Sequence, residues 1–98
     1  MPTNPLPDIP LPEGAVGGDN WEGHGPERVI MGQDRSVTDT DVIIWTSAIQ
    51  LADGRIATED NEPPRAHVEG NVDLNSDQAR ELASALLEAA AELDGWVA

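Results

Sequence analysis

The first 26 residues of the chain contain too much proline and glycine for regular secondary structure. Six of the eight prolines and five of the nine glycines lie in this segment. Proline has no backbone N–H to donate, so neither a helix nor a β-ladder is expected there. We therefore expect an extended, largely irregular arm over residues 1–26 and one small domain over residues 27–98.

Some apolar residues of this arm are suited to packing against a protein surface. Residues 7–12 favour polyproline II and contain a P-x-x-P spacing that can dock on an aromatic groove, although a plain spacer has the same composition. For Trp21 we prefer the interpretation that the arm lies across the folded domain or across a partner subunit.

Three segments after the arm have the composition and alternation of β-strands. The first covers residues 29–31 and ends in a turn at residues 32–34, and the second runs from residue 37 or 41 to residue 52. The third covers residues 65–69, after a loop that contains two consecutive prolines. In this third strand Ala66 and Val68 are the expected inward pair, so His67 should face away from the core.

The dipeptide Asp53-Gly54 lies between two β-prone runs and predicts a hairpin with a two-residue type I′ turn. Such a turn pairs Leu51 with Ile56 and sets the register of the hairpin. Residues two apart in a strand share a face. The face expected to form the core consists of Ile43, Trp45, Ser47, Ile49, Leu51 and Ile56.

The C-terminal segment predicts an amphipathic helix over residues 76–93. Asn75 is a good N-cap with Gln78 at capping-box spacing, and Gly95 is placed to end the helix in a left-handed cap. The expected apolar face consists of Ala79, Leu82, Ala83, Leu86, Leu87, Ala90 and Leu93. The expected polar face consists of Gln78, Arg80, Glu81, Ser84, Glu88 and Glu92.

Together these segments predict an α+β fold, in which an antiparallel β-meander of three or four strands is packed by one C-terminal amphipathic helix. The chain has no cysteine, so disulfides and thiolate metal sites are excluded. A core this small often needs further support. Self-association, for example as a homodimer, is the form of support that remains.

The charge of the chain restricts its partners. Nineteen Asp and Glu residues against five Arg and no Lys give a formal net charge of -14. Such a field repels phosphate backbones and anionic membrane surfaces, so neither direct nucleic acid binding nor membrane binding is expected. The longest apolar run, residues 42–45, is far too short to span a bilayer, and no targeting segment is recognisable. We therefore expect a cytoplasmic protein.

Acidic side chains crowd the last turns of the predicted helix, where the helix dipole disfavours anions. A partner with a basic surface would compensate for this, and the candidate partner-binding face consists of Glu81, Glu88, Glu92 and Asp94. The alternative is an acidic face that is merely solvated.

No motif in the sequence predicts catalysis or cofactor binding. His24 and His67 lack the neighbours that a zinc site needs, and the aspartates at positions 34, 39 and 41 lack the spacing of a calcium loop. We expect no catalytic residue, no cofactor and no metal.

Two motifs resemble those of small proteins of actinobacteria, mycobacteria especially, and of their phages. They are the Gln50-Leu51-Ala52-Asp53-Gly54 turn and the Ala/Leu-rich helix that opens with Leu74-Asn75-Ser76-Asp77-Gln78-Ala79-Arg80. The resemblance covers residues 42–93 and implies no activity.

The function expected from these observations is that of a non-catalytic, acidic protein-protein interaction module, in the form of a phage-derived modulator of a host protein. Two alternatives stay open. One is a structural homo-oligomer that pairs through an edge strand or the Ala/Leu face of the helix, and the other is a small-molecule-binding protein or enzyme that uses Trp45 and the carboxylates.

Overall fold

The computed structural model describes residues 9–18, 27–58 and 63–97. The predictions for Trp21 and His24, and part of those for the P-x-x-P segment and the loop before Pro63, lie outside these residues. The elements are β1 (Ala15–Gly18), β2 (Glu27–Gly32), β3 (Arg35–Ser36), β4 (Ile43–Leu51), β5 (Arg65–Glu69) and α1 (Ser76–Val97).

All the paired strands are antiparallel, and β4 lies at the centre of the sheet. Ser47 pairs with Met31 of β2 on one edge of β4 and with Arg65 of β5 on the other, and Ile44 is likewise shared between β3 and β5. Strands β2 and β3 therefore follow the same edge of β4, and β1 lies outside β2. The predicted α+β fold, an antiparallel meander packed by a C-terminal helix, is confirmed.

The interruption between β2 and β3 is a bulge, because residues 32–34 stand opposite only residues 45 and 46 of β4. The turn predicted at these positions is therefore a break within one edge of the sheet. The chain reverses instead over residues 37–42, where Thr40 N donates to Val37 O and Asp39 has a φ of 60°.

Strand β1 shows that the arm forms more regular structure than expected. Its residues pair with β2, for example Gly18 with Ile30. The expectation that the arm sustains no ladder was wrong at this point, because the next proline after Pro12 is Pro26 and the intervening N–H groups are free to pair.

The predicted two-residue turn at Asp53-Gly54 was also wrong. Gly54 N donates to Leu51 O at 2.9 Å and Leu51 N donates to Arg55 O at 2.8 Å, which encloses a three-residue loop. Gly54 has a φ of 91°, as in a type I turn followed by a glycine bulge. The backbone N–H of Arg55 bonds the Asp53 carboxylate and, with the Arg55 guanidinium, holds the pKa of Asp53 below its ordinary value.

The additional loop residue reverses the faces of β4. Gln50, not Leu51, pairs with Ile56, and a shift of one residue turns every side chain to the opposite face. The inward residues of β4 are Ile44, Thr46, Ala48 and Gln50, all buried beneath α1. Of the set predicted for the core, only Ile56 is buried in it; Ile43, Trp45, Ser47, Ile49 and Leu51 lie on the opposite face.

The core between the sheet and α1 has two apolar clusters. One consists of Val37, Val42, Ile44, Ala85 and Ala89, and the other of Ile30, Ala48, Ile56 and Trp96. The buried hydroxyl of Thr46 lies between them along β4. In β5, Ala66 and Val68 share the inward face through their pairing with Thr46 and Ile44, but both are exposed.

The predicted start of α1 is confirmed. Gln78 N donates to Asn75 Oδ1 at 2.8 Å, and Asn75 N donates to Gln78 Oε1 at 3.0 Å, which is a complete capping box. The predicted end was wrong, because the helix continues through Gly95 to Val97. Trp96 explains the extension, since it is buried and its Nε1 donates to Glu13 O at 3.0 Å.

The faces of α1 differ from the prediction as well. Ala85 and Ala89 are the buried positions of the middle turns, whereas Ala79, Ala83, Leu87 and Ala90 are exposed. Glu81 and Glu92, expected on the polar face, face the rest of the domain and contact Thr38 of the turn over residues 37–42 and Thr46 of β4. The helix is therefore rotated about its axis relative to the prediction. The small side chains of Ala85 and Ala89 allow it to approach the sheet closely, and the two carboxylates form hydrogen bonds with groups beneath it.

We expect Gly95→Ala to raise the free energy of unfolding by about 0.5–1 kcal/mol, because alanine loses less entropy than glycine in a helix. A Cβ at Gly95 meets nothing within 4 Å. Urea denaturation followed by circular dichroism measures the change. The control Gly70→Ala should destabilise, since Gly70 has a φ of 110° and its Cβ would lie 2.6 Å from Asp41 O. A loss of stability in Gly95→Ala would contradict the helical conformation of this residue.

Candidate functional site

The four carboxylates predicted as a partner-binding face do not form one exposed surface. Glu88 and Asp94 are exposed, whereas Glu81 and Glu92 are partly buried and bonded within the chain. The structure therefore separates the predicted site into two exposed and two internally engaged residues.

Glu92 belongs to a polar cluster beneath α1. Its Oε1 accepts a hydrogen bond from Thr46 Oγ1 at 2.7 Å, and its Oε2 lies 3.3 Å from an Nη atom of Arg35. The side chains of Arg35 and Glu92 are only 19% and 12% exposed, and Arg35 Nε also contacts Glu88 Oε1 at 3.3 Å. Because a buried charge needs a partner, the role of this cluster is to join the helix to the sheet.

Glu81 holds the turn over residues 37–42 against the helix. Its carboxylate accepts hydrogen bonds from the backbone N–H and from Oγ1 of Thr38, both at 3.0 Å. Gln78 Nε2 donates to Thr38 O at 3.2 Å. The turn is therefore attached to the first two turns of α1 by three hydrogen bonds, which fix the position of its aspartates.

An exposed group of aspartates surrounds a shallow depression of about 180 Å³ at this end of the molecule. We call Asp39, Asp41 and Asp73 the acidic rim. Asp41 Oδ1 accepts a hydrogen bond from Asn71 N at 2.9 Å, and no arginine forms an ion pair with the rim among the described residues. Across residues 9–18, 27–58 and 63–97, no three acidic or histidine side chains are arranged to hold a metal ion.

The face of the sheet opposite α1 is covered by no other helix or strand of the described segments. We call it the outer sheet face. Its apolar residues are Val29, Met31, Ile43, Trp45, Ile49 and Leu51. Its polar residues are Glu27, Ser36, Ser47, Arg65, His67 and Glu69.

The centre of the outer sheet face is an ordered cross-strand pair. The rings of Trp45 and His67 stack with centroids 3.9 Å apart and an angle of 14° between their planes. Trp45 Nε1 donates to Glu69 Oε2, and His67 Nε2 lies 2.8 Å from Ser47 Oγ. The prediction that His67 faces away from the core is confirmed. The outward position of Trp45 was missed because it depends on the turn type at residues 52–54.

A groove of about 640 Å³ runs between the arm and the hairpin turn. Its buried polar side chain is Gln50, which accepts from Arg28 Nε at 2.8 Å and donates to Pro10 O at 3.2 Å and Gly54 O at 3.3 Å. Because both the oxygen and the nitrogen of this amide are bonded within the chain, Gln50 attaches the arm to the sheet.

No protein-family model, no curated protein and no solved structure matches this chain. Within the described residues, no helix is both long and apolar enough to cross a membrane. The acidic rim and the outer sheet face are the two surfaces of the described residues that are suited to binding a partner.

Proposed function

We propose that this protein is a non-catalytic interaction module that binds a basic protein surface through the acidic rim. The observation that carries the proposal is the net charge of -14 in a chain in which four of the five arginines are bonded internally. Arg35, Arg55 and Arg80 each form an ion pair with a carboxylate of the same chain, and Arg28 bonds Gln50 and Ile9 O. A surface of this sign attracts basic partners and accelerates their association.

The acidic rim is better suited to this role than the acidic end of α1. Glu81 and Glu92 are engaged with Thr38, Thr46 and Arg35, and the charge of Glu88 is shared with Arg35. The rim is also held in place by the contacts of Glu81 and Gln78, so its charges are arranged before a partner arrives, which lowers the cost of binding. The resemblance to phage and actinobacterial proteins supports a modulator of a host protein as the form this module takes.

The expected result of a pull-down with the intact protein from an actinobacterial lysate is a specific basic partner. Capture should weaken as salt rises from about 0.05 M to about 0.5 M, because screening shortens the range of the attraction. We expect Asp39→Asn/Asp73→Asn to lower the affinity on the order of tenfold, since Asn tolerates the positive φ of Asp39 and only the charge is lost.

The matched control is Glu88→Gln/Asp94→Asn, which removes the same charge from the end of α1 and should leave most of the affinity. A control that loses as much as the rim variant would place binding at the helix instead. A partner captured equally well at both salt concentrations would contradict the electrostatic proposal itself.

A further inference from the structure

We propose that the outer sheet face is the interface of a symmetric dimer with a second copy of this chain, with the Trp45–His67 row at its two-fold axis. This goes beyond the acidic rim, which lies on the turn over residues 37–42 and on the segment between β5 and α1, outside the outer sheet face.

The outer sheet face is more apolar than a solvated sheet face. A solvated face of an antiparallel sheet normally carries polar side chains, opposite a hydrophobic inner face. In β4 the outward residues Ile43, Trp45, Ile49 and Leu51 are apolar, whereas the buried face includes Thr46 and Gln50 beside Ile44 and Ala48. Ile43 is 40% exposed and Met31 is 36% exposed. Large apolar side chains gathered on a face that no described helix or strand covers indicate an association surface.

The outer sheet face also carries little net charge. The outer sheet face carries the charged residues Glu27, Arg65 and Glu69, for a net charge of -1 with His67 neutral, whereas the whole chain carries -14. Two copies therefore repel each other less at this face than the net charge of the chain implies. A strongly basic partner would meet Arg65 here, which forms no ion pair within the described residues.

The charges of the outer sheet face are arranged so that a two-fold axis pairs opposite signs. The cross-strand rows Ser47–Arg65, Trp45–His67 and Ile43–Glu69 follow one another along β4 and β5. A two-fold axis in the plane of the interface, perpendicular to the strands and through the middle row, exchanges the first row with the third. Arg65 of each copy then faces Glu69 of the other. Both ion pairs form at once, and the aromatic row packs on its own equivalent.

The area of the face sets the expected affinity. Nine residues of β4 extend about 30 Å, and three strands with their side chains extend about 15 Å across them. Two such faces bury roughly 1,000 Å² in total, at the lower end for a specific interface. We therefore expect a dimer that dissociates in the micromolar range.

Sedimentation equilibrium of the intact protein between about 5 µM and about 200 µM, at about 0.15 M salt, tests the proposal. We expect a monomer–dimer equilibrium. Each of R65E and E69R should weaken dimerisation by about tenfold or more, because like charges then face each other across the axis. The double variant R65E/E69R should recover most of the loss, since the pairs re-form with exchanged signs.

The matched control is Leu87→Glu, on the exposed side of α1, where Leu87 is 73% exposed. This variant should leave dimerisation unchanged. A loss of dimerisation in Leu87→Glu would instead assign the interface to the exposed side of the helix. The proposal would be overturned if the protein were a monomer at every concentration, or if neither R65E nor E69R changed the dissociation constant of the dimer. Urea denaturation of each variant separates weak dimerisation from unfolding. Salt-sensitive capture of a basic partner by R65E would show that the acidic rim acts independently of the dimer.

Discussion

Trp96→Ala is expected to lower the free energy of unfolding by about 3–5 kcal/mol, which is a large part of the stability of a domain of this size. Trp96 is 6% exposed and packs with Ile30, Ala48 and Ile56 in the second apolar cluster. Its Nε1 also donates to Glu13 O. Alanine would leave a cavity beneath the last turn of α1 and release the arm from the helix.

Two further variants divide this loss into its parts. Trp96→Phe keeps most of the apolar contact but cannot donate to Glu13 O, so we expect a loss of about 1–2 kcal/mol. Val97→Ala changes a neighbouring residue that is largely exposed and should cost less than about 0.5 kcal/mol. Urea denaturation followed by far-ultraviolet circular dichroism measures all three. Equal, small effects in the three variants would mean that the last turn of α1 is not part of the core.

Gly32→Ala is expected to cost about 3 kcal/mol, although it adds a single methyl group. A Cβ at this position would lie 2.0 Å from Glu92 Oε1 and 2.2 Å from Thr46 Oγ1. Space for it requires both the Glu92 carboxylate and the Thr46 hydroxyl to move, which breaks their hydrogen bond and disturbs the largely buried ion pair of Glu92 with Arg35.

The matched control for Gly32→Ala is Gly17→Ala in the neighbouring strand β1. A Cβ at Gly17 meets nothing within 4 Å, so this substitution should change the free energy of unfolding by less than about 1 kcal/mol. Both variants can be compared by urea denaturation. A Gly32→Ala protein as stable as the Gly17→Ala protein would show that the Glu92 cluster adapts without loss.

The parts of the fold that local chemistry determines could be predicted from the sequence. The capping box at Asn75 and Gln78 depends on neighbouring residues alone, and it forms as expected. The dipeptide Asp53-Gly54 does not determine its turn, because it suits both a two-residue turn and a three-residue loop with a glycine bulge. The additional residue of the three-residue loop determines which face of β4 packs into the core.

Contacts between distant residues explain the other differences. Gly95 is a residue type that often ends a helix, but burial of Trp96 in the core stabilises the protein more than a helix cap at Gly95 would. In the sequence Glu81 and Glu92 resemble surface residues, but the fold places Thr38 and Thr46 within hydrogen-bonding distance of them. Nothing in the spacing of the acids along the chain shows which of them meets a partner 46 residues away in the sequence. The acidic rim was not predicted from the sequence for the same reason, because its residues belong to two loops that are far apart along the chain.

The hydrogen bond between Trp96 and Glu13 joins residues 83 positions apart. During synthesis the ribosome releases the arm long before Trp96, so the Glu13 carbonyl has water as its partner until nearly the whole domain has emerged. Contacts of such sequence separation slow folding, because the intervening chain must be ordered first. The second apolar cluster, which includes Ile30 and Ala48, is therefore complete only after Trp96 has been synthesised and has packed against it.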